Sequence, residues 1–285
     1  MSFVKRLPWA ATVVVALGLA SAPAAAANTS KSSNWAGYAV HHRRVKFQQV
    51  LGTWTQPRAT CHRGEPTYSS VWIGIGGYSI SSRALEQIGT EADCTAQGHE
   101  SSSAWFELVP SASRQIRIPI HAHDRLRASV AVSGRTVTVR LVNLTRHRSF
   151  IRRVRASLLD TSSAEWIVEA PSVCSAGTAC QTLPLADFGR TGFRAARAQT
   201  ISGHVGSIRD RRWTTTKIML AQSGRHFISR GPGAALATAT PSPLRGRHTA
   251  FDVTYRGSPG GFTSAVARRV SATRLVHLTA LSPIS

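Results

Sequence analysis

Thirteen carboxylates are all the acidic side chains available for general acid and base work, and few of them sit inside apolar runs. Glu107 lies between Phe106 and Leu108, and Glu165 and Glu169 flank Trp166-Ile-Val168. A carboxylate with apolar strand neighbours tends to be half-buried, and burial raises its pKa toward a value useful for proton transfer. In an extended strand Glu165, Ile167 and Glu169 point to one face, which sets the two glutamates about 13 Å apart at ~3.3 Å per residue. That exceeds the reach of a shared-proton dyad and the roughly 5 to 9.5 Å of paired glycosidase carboxylates. The two do not act as a couple. The chain carries no Gly-x-Ser-x-Gly elbow, no His-Glu-x-x-His and no Walker loop. His121-Ala-His123-Asp124 puts two imidazoles on one strand face, but with no third ligand nearby it reads as a strand end running into a turn at Asp124-Arg125. Neither a metal nor any other cofactor is expected. Gly74-Ile-Gly76-Gly77 follows Trp72-Ile73 and reads as a bend or bulge rather than a phosphate cradle.

The elements that must hold these groups are strands. Val71 to Gly76, Ala104 to Val109, Leu126 to Val132, Thr136 to Val142, Glu165 to Glu169 and Phe251 to Tyr255 are β-rich runs separated by turn residues. Ser133-Gly134 between two alternating runs is a hairpin signal. No capped amphipathic helix of three turns stands out, so an antiparallel β-sandwich is the expected architecture. With 42% hydrophobic and 17% charged residues the chain is not intrinsically disordered.

Lys5-Arg6, an apolar stretch over residues 10–20 and four consecutive alanines at 24–27 read as a secretory signal. That apolar stretch is too short to span a bilayer, which takes roughly 20 residues. The expectation is a signal peptide over 1–27, a β-sandwich domain over 28–256 and a cationic extension over 257–285, entered through Gly257-Ser-Pro-Gly-Gly261; a short helix at 263–269 is compatible with that extension. In an oxidising compartment the four cysteines should pair. Three connectivities exist; Cys174 and Cys180 bracket a short turn and are natural mates, leaving Cys61 with Cys94. The formal charge of +22 falls to +20 once Lys5 and Arg6 are removed. Such an excess points to an anionic partner such as a cell envelope, but the basic residues are mostly scattered arginines, so no nucleic-acid partner is expected.

Several stretches together resemble the glutamic peptidases, also called eqolisins or peptidase family G1. They are Ser33-Asn34-Trp35-Ala-Gly-Tyr38, Val71-Trp72-Ile-Gly-Ile75, Ala84-Leu-Glu-Gln87-Ile-Gly-Thr90, Ala104-Trp105-Phe-Glu107-Leu-Val-Pro110 and Ala164-Glu165-Trp-Ile-Val-Glu169. Pro241-Ser-Pro-Leu244 and Phe251-Asp-Val-Thr-Tyr255 look like the family's closing strands. The resemblance implies a concanavalin A-like, jelly-roll sandwich of two curved antiparallel sheets with a cleft on the concave face. It implies a catalytic Gln87 and a catalytic Glu169, the latter preferred over Glu165 because it stands five residues before Cys174. Glu107, Trp105, Trp72 and Trp35 match residues that line the family's cleft and bind substrate. The chain departs from the family at Gly76, Ser103 and Val109, and Ser81 and Asp160 occupy the places of a second disulfide in fungal members.

The implied activity is that of a secreted, acid-acting, pepstatin-insensitive endopeptidase on polypeptide substrates, working as a monomer. In it Glu169 would serve as base and then acid while the Gln87 amide donates to the oxyanion. The alternatives are a carbohydrate-binding sandwich and a cationic envelope-binding protein, neither of which needs Gln87 with Glu169.

Overall fold

The computed structural model describes residues 28–174, 180–221 and 237–257. The expected signal peptide, nearly all of the extension and the 263–269 segment lie outside the described residues. These residues form eighteen strands. In chain order they are β1 (Asn28–Ser32), β2 (Trp35–His41), β3 (Phe47–Thr55), β4 (Ser70–Gly76), β5 (Leu85–Cys94), β6 (Glu100–Leu108), β7 (Arg114–Ile116), β8 (Arg125–Ser133) and β9 (Thr136–Asn143). There follow β10 (Arg148–Arg155), β11 (Ser163–Glu169), β12 (Ser172–Cys174), β13 (Cys180–Thr182), β14 (Arg190–Thr200), β15 (Val205–Ser207), β16 (Thr214–Ala221), β17 (Thr238–Pro241) and β18 (Phe251–Arg256).

One continuous ladder runs β10-β9-β8-β3-β14-β18-β17-β16-β2-β11-β4-β5-β6-β7, and it doubles over so that β3 and β8 pack against β4, β5 and β11. The expected two-sheet antiparallel β-sandwich is therefore present, with β18 and β17 making its back and front layers continuous. Alternation explains the back layer. In β8 and β9 every second residue, from Leu126 to Val132 and from Val137 to Asn143, is buried, and the intervening ones face solvent. The inward set meets Val71, Ile73, Ile75, Ile88, Phe106, Trp166 and Val168 of the front layer in one core. Two indoles stitch the layers across it: Trp54 Nε1 donates to Thr90 Oγ1 at 3.0 Å and Trp166 Nε1 to the Leu51 carbonyl at 2.9 Å. Front strands β4 and β11 are buried on both faces, because a second cluster of Trp35, Trp72, Trp105, Leu85, Ile167 and Ile218 covers their outer side.

Local chemistry matches the sequence reading in most places. The 133–136 hairpin joins β8 to β9 with Gly134 at φ 57°. Gly76 and Gly77 end β4 at φ 83° and 84°, and a Cβ on Gly76 would lie 2.4 Å from the Asp160 carbonyl oxygen. A residue with a side chain does not fit this backbone. His121 to Asp124 form a turn ahead of β8 instead of a strand end, with His123 at φ 71°, so the two imidazoles do not share a strand face. Among the described residues no group of three or more His, Cys, Asp or Glu side chains could hold a metal, and no helix is long and apolar enough to cross a membrane.

Cys61 and Cys94 form a disulfide. The β12–β13 register sets Cys174 opposite Cys180; the Cys174 side chain lies outside those described. Ser81 makes no link to Asp160, but the Asp160 carboxylate accepts from Ser82 Oγ at 2.5 Å, Gly77 N at 3.3 Å and Ser162 N at 2.8 Å. Hydrogen bonds through Asp160 thus join the β4–β5 turn to the start of β11, the two segments that the missing disulfide would join.

Candidate active site

Strands β2, β11, β4, β5 and β6 lie side by side, and their register sets three rows on the outer face of the front layer. Glu169 stands between Trp35 and Ser70. Ile167 stands between Gly37 and Trp72, and that row continues through Gly89 to Trp105. Glu165 stands between Ala39 and Gly74, and that row continues through Gln87 to Glu107. Glu169, Gln87, Trp72, Trp105, Glu107 and Trp35 therefore share one face, and none is more than 2% exposed. Gly89 makes the middle row possible, since a Cβ there would meet the Trp72 Cβ at 2.5 Å.

Glu169 receives a donor on each carboxylate oxygen. Asn34 Nδ2 donates to Oε1 at 3.1 Å and Trp72 Nε1 to Oε2 at 2.7 Å. Asn34 is set for this by a tight turn at the end of β1. Ser32 Oγ donates to Asn34 Oδ1 at 3.0 Å and accepts from the backbone N–H groups of Asn34 and Trp35, which aims the amide nitrogen at the carboxylate. Trp35 closes over Trp72 edge-to-face, with centroids 5.0 Å apart and planes at 76°.

Gln87 Nε2 donates to Glu107 Oε2 at 2.8 Å, in a fully buried pair. That bond fixes which way the amide points, while the second N–H of Nε2 is available for another acceptor. Glu165 shares the Gln87 row across the side-chain-free Gly74, and burial pushes its carboxyl well above the ordinary range, opposed by Ser163. On the opposite face of β5, burial pushes Glu86 up to about 9, with the nearby Asp160 charge adding to the effect. Both are neutral acids over the acid range, whereas Glu169, with an N–H donor on each oxygen, is built to carry charge.

The profile of the peptidase A4 family matches residues 33–226. The chain belongs to the peptidase A4 family. These are the glutamic peptidases anticipated from the motifs, and membership makes the chain a glutamic endopeptidase. Scytalido-glutamic peptidase, solved with a peptide-based transition-state analogue, is 23% identical, with a TM-score of 0.62 over 79% of this chain and 98% of its own. SCP-B, an eqolisin solved with the tripeptide Ala-Ile-His, is 21% identical, with a TM-score of 0.59 over the same shares. At these identities the likeness concerns the fold. No curated protein sequence matches the chain.

Asn34 is the residue that the structure adds to this candidate site and that motif reading passed over. Its partner lies 135 positions away, and the only local signal is Ser32 two residues ahead of an amide residue, a pattern that favours a side-chain-bonded turn.

Proposed function

We propose that this glutamic peptidase hydrolyses peptide bonds in acid with Glu169 as base and then acid and Gln87 as oxyanion donor. The observation that carries the reading is the buried Glu169 carboxylate with one neutral N–H donor on each oxygen. Neutral donors favour its ionised form without adding a titrating partner. Glu169 takes a proton from water as the water oxygen bonds to the peptide carbon. The carbonyl oxygen becomes an oxyanion and accepts from the free N–H of Gln87 Nε2. Collapse breaks the C–N bond, and the proton on Glu169 passes to the leaving amine, restoring the carboxylate.

Glu107 acts here as the residue that holds Gln87 in its donating orientation. Both reacting groups are buried, so the indole cover must part for a peptide to enter. Trp35 is suited to move, since its Nε1 is buried without a hydrogen-bond partner among the described residues, while Trp72 is held by Glu169. The leader over residues 1–27 and the Cys61–Cys94 disulfide support action outside the cell.

The test is hydrolysis of a denatured protein from about pH 2 to about pH 7, with pepstatin present. Glu169→Gln and Gln87→Ala should each lower turnover by about 10²-fold or more with unfolding midpoints unchanged. Near-normal turnover in either variant sinks the assignment, and a larger loss in Glu165→Gln would move the base to Glu165.

A further inference from the structure

The back layer carries a charge pattern that peptide hydrolysis does not use. Strands β3, β8, β9, β10 and β14 contain ten arginines, no lysine and no acidic residue. Front strands β5, β6 and β11 hold seven of the chain's thirteen carboxylates. Register gathers part of this charge along one valley. Arg127, Thr53 and Arg194 form one row across β8, β3 and β14, and Ser129, Leu51 and Arg197 form the next, with Arg140 beside Ser129. Arginines on β8 and β14 thus face each other about 9.6 Å apart across a β3 floor without charge, and they repeat along β8 at about 6.8 Å.

One end of the valley is a depression of about 320 Å³ over Thr53, Thr55 and Gly192, rimmed by Arg125, Arg190 and Arg194. Asp252 is buried beneath it and holds Arg190, Arg194 and Arg245 by ion pairs. Three guanidinium groups on one carboxylate leave two positive charges uncompensated. Their side chains stay 50–62% exposed, and of the five donors on each guanidinium Arg190 and Arg245 each give one to Asp252, while Arg194 gives one to Asp252 and two to the Phe193 and Phe251 carbonyls.

We propose that this valley is a binding site for a linear phosphate polymer, which would tether the enzyme by its back layer and leave the cleft, on the outer face of the other layer, open to substrate. Arginine rather than lysine suits phosphate, because the planar fork pairs with two oxygens at once. Phosphodiesters stay ionised in acid, where a carboxylate polymer becomes neutral; this preference rests on the acid-acting reading above. Asp252, held down at about 2 by Arg190, Arg194 and Arg245 against the opposing push of burial, keeps the cluster ordered there. The aromatic side chains of β3 and β14, Phe47, Trp54 and Phe193, all point into the core. The valley thus has no stacking platform for bases.

The test measures binding of the full chain to fluorescent inorganic polyphosphate at about pH 4 and low salt. Arg125→Gln with Arg127→Gln is compared with Arg114→Gln with Arg117→Gln, a pair of exposed front-side arginines of equal charge. The first pair should weaken binding at least tenfold and the second less than twofold. Thr53→Glu, which puts a negative charge on the floor, should weaken binding as much as the first pair. Unfolding midpoints and cleavage of a short soluble peptide should match wild type in all variants. Equal losses in both arginine pairs would mean that net charge alone binds the polymer and would overturn the proposal. Binding of duplex DNA or of polyglutamate as tight as polyphosphate would overturn it too. Polyphosphate binding by a chain that cleaves nothing would leave the valley standing and remove the proposed activity instead.

Discussion

Asn34 and Trp72 divide the work of holding Glu169, and removing either should show in the pH profile. With Asn34→Ala one oxygen of the Glu169 carboxylate loses its donor, so protonation competes earlier as pH falls. The acid limb of kcat/KM should move to higher pH, with turnover at the optimum lowered about tenfold; an unmoved limb would reduce Asn34 to a packing residue. Glu107→Gln should act through orientation instead, lowering kcat more than it raises KM, because the Gln87 amide can then flip. That Glu169, Glu107, Trp35, Trp72 and Trp105 come together on one face was legible from motifs that are short and stand in order along the chain. Asn34 was readable as motif text only, because its role exists once β2 and β11 pair. Glu86 went unnoticed because, inside Leu85-Glu-Gln-Ile88, periodicity does not say which face of a doubly buried strand is the core.

Among the elements, five of the six expected runs match β4, β8, β9, β11 and β18 within two residues at each end, whereas β6 begins at Glu100, four residues before the expected Ala104. β10 and β14 were not anticipated: β10 is an arginine-rich edge strand exposed over most of its length, and β14 breaks its alternation at a bulge where Ala195 adopts φ 52°. β5 reads as polar because Glu86, Gln87 and Glu91 interrupt it, although the front layer buries the first two. The Cys61–Cys94 bridge anchors the far end of that strand beside Ala59, Ala92 and Ala186, a cluster too small to hold it by burial alone. Replacing both cysteines by serine should cost roughly 2–4 kcal/mol in urea unfolding. A loss of only a few tenths would place the anchoring in the ladder. Deleting residues 28–32 should cut activity about as far as Asn34→Ala, since Ser32 leaves with β1 and takes the aim of the amide with it.

For the molecule as a whole, buried carboxyls set a stability window on the acid side. Glu86, at about 9 when folded against an ordinary 4.5, and Glu165, which burial pushes well above the ordinary range, are protonated in the native state over the acid range. Their full benefit is present below about pH 4.5, and that of Glu86 is lost as pH rises toward 9, at up to about 1.4 kcal/mol per pH unit. Asp252, at about 2 against 3.8, works in the other direction: its contribution is present above 3.8 and is lost only as pH falls toward 2. Chemical denaturation across this range should therefore find highest stability near pH 4. Glu86→Gln should flatten the decline above it, and an unchanged slope would remove Glu86 from the account.

The bond between Asn34 and Glu169 closes a span of 135 residues, and β1 lies parallel to β16 with Asn28 beside Thr216. Little of that arrangement can be rehearsed locally. A polypeptide whose first strand waits for its sixteenth pays the entropy of long-range closure before any contact rewards it. Refolding should be slow, and tryptophan fluorescence from the sandwich should recover before hydrolysis does. Glu169 acquires its Asn34 donor only when the segment entering β2 has found β11.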